Sequence, residues 1–107
     1  MTAADFRRIA LRMPEAEESA HMSHPDFRVG GKIFATLGYP DEEYGIVVLS
    51  LDEQARLVRT YPKVFAPAKG AWGKRGSTMV RLEAVDKATL QRAIEIAWRK
   101  RAPKDLL

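Results

Sequence analysis

Cysteine is absent from the 107 residues, so neither a disulfide nor thiolate chemistry is open to this chain. Long apolar runs are missing as well. The best, Ile46 to Leu49, falls far short of the roughly 20 residues that a membrane-crossing helix needs. Met1 to Arg8 contain no apolar stretch of the kind a secretory leader carries, so a cytoplasmic location is expected. No repeat, linker or low-complexity segment interrupts the chain. Apolar residues make up 46% and charged residues 30%, a balance too apolar for a disordered protein. One domain over residues 1–107 is expected, long enough for a single core and too short for two.

Charge is unevenly placed. Residues 1–54 hold five Lys/Arg against ten Asp/Glu, whereas residues 55–107 hold thirteen against four, a net of +9. A basic half of this kind attracts polyanions if its charges share a face. The plainer reading is a solvated basic surface.

Helix signals are clear in three places. Thr2 with Asp5 forms a start signal, Phe6, Ile9, Ala10 and Met13 follow at helical spacing, and Pro14 stops the run. Ser50 to Glu53 reads as a capping box before Ala55, Leu57, Val58 and Tyr61. Asp86 caps a last helix whose core stripe is Leu90, Ala93, Ile94, Ala97 and Trp98, with Val85 and Leu90 as a staple. These predict helices near 2–13, 52–61 and 86–101.

Between them, Gly30-Gly31 separates two β-rich runs and predicts a tight hairpin, because such turns need the positive φ that glycine adopts freely. Ile33, Ala35 and Leu37 then share one sheet face, with Phe34 and Thr36 on the other. Ile46 to Leu49 and Thr78 to Leu82 read as further strands, and Val64-Phe65 as a short edge strand. Residues 15–26 carry no readable period. The expected class is α+β: a two-layer sandwich, three helices on an antiparallel sheet, in the order α-β-β-β-α-β-β-α. The expected core is Phe6, Ile9, Ile33, Leu37, Val48, Val58, Leu82, Ile94 and Trp98.

Two stretches resemble a known family. One is His24-Pro25-Asp26-Phe27-Arg28-Val29-Gly30-Gly31-Lys32-Ile33-Phe34-Ala35. The other runs from Val64-Phe65 through Ala71-Trp72-Gly73-Lys74-Arg75-Gly76 to Leu82. With Ala97-Trp98-Arg99 and Ala102-Pro103-Lys104 they are similar to the MmcQ/YjbR-like family across nearly the whole chain. The resemblance implies a compact α+β fold likened to bacterial frataxin and to type III secretion chaperones. It also implies the family's description as DNA-binding proteins with a double-wing motif. Many members carry an aromatic residue directly before the last strand, where this chain has Ser77-Thr78.

Candidate chemistry is sparse. His21, His24 and Asp26, with Glu17 and Glu18, could be drawn as a metal site, but two histidines three apart outside a helix are more simply a surface cluster. Ser19 and Ser23 lack the Gly-x-Ser-x-Gly frame of a nucleophile elbow. Asp41-Glu42-Glu43 reads as a solvated loop tip. Gly73-Lys74 lacks the spacing of a phosphate-cradling loop, and the GxxG spacings over Gly70 to Gly76 lead into a strand, where a KH loop would join helices. The chain is therefore expected to be no enzyme and to need no cofactor or metal. The expected function is nucleic-acid binding, DNA first, by two basic glycine-rich hairpins. One carries Arg28 and Lys32; the other carries Lys69, Trp72, Lys74 and Arg75, with Arg81 on the strand that follows. Glycines admit a phosphate close to the backbone, cations neutralise it, and Trp72 can stack on a base. The alternative is a protein-interaction module. Either is compatible with a monomer or weak dimer and requires no membrane.

Overall fold

Thr2 opens helix α1 (Ala3–Leu11) with a reciprocal pair of bonds: its hydroxyl accepts from the Asp5 N–H at 3.1 Å, and its own N–H donates to Asp5 Oδ2 at 2.8 Å. The computed structural model describes all residues, 1–107. Ser50 and Asp86 cap helices α2 (Leu51–Thr60) and, later in the chain, α4 (Lys87–Arg101) by accepting from the Glu53 and Thr89 N–H groups. Val85 and Leu90 are both buried beside the α4 cap, as a staple requires.

Six strands form one antiparallel sheet in the order β1-β2-β3-β4-β6-β5. They are β1 (Glu17–His21), β2 (His24–Val29), β3 (Lys32–Leu37), β4 (Tyr44–Val48), β5 (Phe65–Pro67) and β6 (Ser77–Arg81). The Gly30-Gly31 hairpin forms as expected, with φ of +58° and +79°, both in the left-handed region that a type I′ turn demands. A short helix α3 (Gly70–Lys74) lies between β5 and β6, and a 3-10 turn (Lys104–Leu106) ends the chain.

The α+β two-layer class holds, with two additions. β1 was not readable because four of its five residues are exposed and, as an edge strand paired only with β2, it shows no apolar alternation. α3 is too short to show a helical period. One facing assignment is corrected. The β2–β3 register slips between Phe27 and Arg28, so Phe34 becomes the extra residue of a β-bulge. Phe34 therefore enters the core together with Ala35 and Leu37, while Ile33 turns to the opposite face and joins Thr36, which lies there as expected. Ile33, Val48 and Val58 are only partly buried, and the other six residues of the expected core are buried.

The main core lies between the sheet and α1, α2 and α4, with Phe6, Phe27, Phe34, Phe65, Leu90 and Ile94 essentially inaccessible. A Cβ at Gly45 would sit 2.5 Å from the Phe6 ring, so the absence of a side chain on β4 is what lets α1 approach. Trp98 packs in the core and donates its indole N–H to Pro14 O at 2.9 Å, tying α4 to the end of α1. No helix is long and apolar enough to cross a membrane. Because Ile94 is fully buried at the centre of this layer, Ile94→Ala should lower the unfolding free energy by about 2–5 kcal/mol in urea titration. A change near zero would show that its surroundings collapse to fill the space.

Candidate functional site

The stretch expected to be a second basic hairpin is instead anchored as helix α3. Gly70 enters it at φ +70° and Gly76 leaves it at φ +112°. A Cβ on Gly73 would lie 1.7 Å from Ala68 O, and one on Gly76 would lie 1.8 Å from Leu49 O, so only glycine permits this approach. The buried Gln54 amide, reaching over from α2, donates to Gly73 O and Ser77 O at 3.0 Å each and to Thr78 Oγ1 at 3.2 Å. Gln54 was not among the expected site residues; a lone polar residue on a helix's inner face was the signal that could have found it.

Held this way, α3 closes one end of the sheet and projects Trp72 over the face that the helices leave uncovered. Trp72 is 44% exposed and meets Tyr39, from the β3–β4 loop, with ring centroids 5.4 Å apart and planes tilted by 57°. His24 stands edge-on to Tyr39 at 5.9 Å. Beneath them lies a cleft of about 360 Å³ lined by Ile33, Thr36, Ile46, Val48 and Ser77 from the sheet, with His21 and Met22 at its β1 side. That volume falls within the roughly 300–1,000 Å³ of small-molecule sites. A larger, more open groove of about 600 Å³ between α2 and α4 is bordered by Arg56, Thr60, Arg92 and Glu95.

Next to the cleft, the inaccessible Asp26 carboxylate is fully engaged. Arg28 donates Nε and Nη2 to its two oxygens at 2.8 and 3.1 Å, and His21 Nδ1 lies 2.7 Å from Oδ2. The Arg28 hydrogen bonds hold the Asp26 carboxyl below the usual carboxylate range; burial opposes them and the His21 bond assists. An ionised carboxylate only accepts, so His21 must donate from Nδ1, and in the neutral ring Nε2 is then an acceptor. The His21, His24, Asp26, Glu17 and Glu18 set does not converge as three potential metal ligands.

The seven expected nucleic-acid contacts separate into two groups. The β2–β3 turn, the end of β4 and the start of β6 share one sheet end, since Val48 pairs with Ser77 and Thr78 with Pro67. Lys32 and the α3 set of Lys69, Trp72, Lys74 and Arg75 lie at that end, and all are exposed. Arg28 is committed to Asp26, and the neighbouring Gly30-Gly31 groove is lined by Glu15, Glu17 and Asp105. Arg81 pairs across from Tyr44 at the other end of the sheet and bonds Glu83 at 3.0 Å. The structure therefore does not bring Arg28 and Arg81 into one free basic surface with the others.

A family model described as YjbR matches residues 11–100. The chain belongs to the YjbR family. Its fold is also that of the Deinococcus radiodurans protein DR2400, a crystal structure with a DUF419 domain. The two are 17% identical with a TM-score of 0.80, over 97% of this chain and 80% of that one. No curated protein matches.

In this YjbR domain the buried carboxylate makes a pH signature. The folded-state pKa of Asp26 is depressed, so its contribution to stability is complete above the unfolded value of about 3.9 and is lost as pH falls through the folded value. Asp26→Asn should cost about 1–3 kcal/mol at pH 7, because Arg28 and His21 lose a charged acceptor. Urea titrations should show this gap between wild type and variant shrinking below about pH 4. A gap independent of pH down to about 2 would contradict an ionised, paired Asp26.

Proposed function

We propose that this domain binds nucleic acid, DNA first, through the sheet end formed by the Gly30-Gly31 turn and α3, without catalysing a reaction. One observation carries the reading. Lys32, Lys69, Lys74 and Arg75 gather at that end, all exposed and none within ion-pairing distance of a carboxylate, whereas Arg28 and Arg81 are both paired. Free cations release condensed counterions when they meet phosphates; paired ones must first give up a partner.

β3 and β6 are two strand spacings apart, about 10 Å. Measured along a duplex axis, that distance covers about three base-pair steps. The acidic residues around the Gly30-Gly31 groove make the first loop the weaker arm, so α3 carries most of the binding. The double-wing description that the family resemblance brought points the same way, with a helix in place of the second hairpin.

Replacing Lys74 and Arg75 together with Ala should weaken binding to every duplex sequence alike. The log–log salt slope should fall by roughly 0.9 for each phosphate that is no longer neutralised. Both residues are exposed, so the melting temperature should hold. Fluorescence anisotropy at several salt concentrations measures both affinity and slope, and no change in either would rule this surface out.

A further inference from the structure

Three features of the cleft bear on what it could hold. Thr36 lines the cleft at 8% exposure, and its hydroxyl makes no hydrogen bond within the protein and stays within reach of solvent. Met22 and Ser23 close the β1–β2 hairpin at φ +49° and +68°, the left-handed pair that a two-residue type I′ turn demands. The turn leaves Met22 at the cleft margin and 78% exposed. Finally, Tyr39 and Trp72 offer ring surface above an aliphatic floor on a sheet face that no helix covers.

From these we infer that the cleft is a binding site for a single nucleobase-type ring carrying a phosphate. A planar ring suits walls of Trp72, Tyr39 and His24 above Ile33, Ile46 and Val48, because aromatic faces attract it at centroid distances of about 4.5–7 Å. A heteroaromatic edge suits the Thr36 hydroxyl, which both donates and accepts, and His21 Nε2, which accepts while Asp26 fixes the tautomer. The phosphate suits the helix that supplies Trp72, since Lys69, Lys74 and Arg75 flank that residue and are free. The inference deepens the nucleic-acid reading and rests on it only for the source of the base, which is either a free nucleotide or an unpaired base in a strand.

Saturable quenching of Trp72 fluorescence tests the site on the full chain, because the other tryptophan, Trp98, is buried in the core. The probes are the four nucleoside 5′-monophosphates, the matching nucleosides and short single-stranded homo-oligonucleotides. Thr36→Val keeps the shape and removes the hydroxyl, and should weaken binding about 2- to 10-fold. Trp72→Ala, followed by calorimetry, should weaken it about 5- to 150-fold and leave the melting temperature near wild type. Replacing Lys74 and Arg75 with Ala should weaken monophosphates while leaving nucleosides unaffected. This separates failure of the cleft from failure of the electrostatic surface.

Binding of monophosphates that responds to Thr36→Val identifies a free-nucleotide site. Binding of strands alone, with the same response, identifies the source as nucleic acid. Absence of saturable binding by every probe, or binding equally tight in Thr36→Val and Trp72→Ala, overturns the site.

Discussion

Six strands share helices on one face only. Phe27, Val29, Ala35, Val47 and Val80 point into the layer beneath α1, α2 and α4, and the alternating period of a strand sends their neighbours to the other side. That second face must then be made tolerable to water by its own side chains. Near β1 the solution is ionic: Asp26 is buried and holds Arg28 and His21 around itself. Towards β4 and β6 it is aromatic, with Tyr39 and Trp72 leaning together over Ile46 and Val48. The bulge at Phe34 belongs to the same constraint, since it adds a large residue to the covered face and displaces Ile33 to the uncovered one, beside Thr36.

Placement of Trp72 depends on interactions remote from it in the chain. Gln54 satisfies two backbone carbonyls and a hydroxyl at the root of α3, and Gly73 and Gly76 allow the backbone to lie against Ala68 and Leu49. A buried carbonyl without a donor would cost about 1–3 kcal/mol. The amide therefore settles where the helix sits and thereby where its cations and its indole face. The proposed phosphate contacts and the proposed ring site meet on this five-residue element because it stands at the boundary between the closed sheet end and the open sheet face.

Much of the fold was legible. Caps at Thr2, Ser50 and Asp86, the stop at Pro14, the glycine pair and the helical stripe of α4 are local signals whose physics acts within a few residues. β1 was hidden because it is a mostly exposed edge strand with no apolar side-chain period. The cleft was hidden for a different reason. Its residues come from β1, β3, β4, α3 and two turns, and no spacing in the chain announces that Tyr39 and Trp72 will touch. Positive charge was easy to count, but its availability was not, since whether an arginine is free depends on which carboxylate lies beside it.

The amino-acid sequence by itself determined a cysteine-free α+β domain of the YjbR family, with its three main helices, its tight hairpin and a strongly basic second half. The family is carried by the matching stretches His24 to Ala35 and Val64 to Leu82, and the rest follow from local backbone preference, apolar period and composition. Tertiary structure alone decided that α3 replaces a wing and that Arg28 and Arg81 are neutralised while Lys32, Lys69, Lys74 and Arg75 stay free. It also decided that Ile33 lines a cleft beside Thr36 and leaves the core to Phe34. The physical reason is common to all three. Each outcome is set by register and packing: one bulge turns Phe34 inward, a carboxylate two residues away engages each arginine, and one glutamine amide fixes α3.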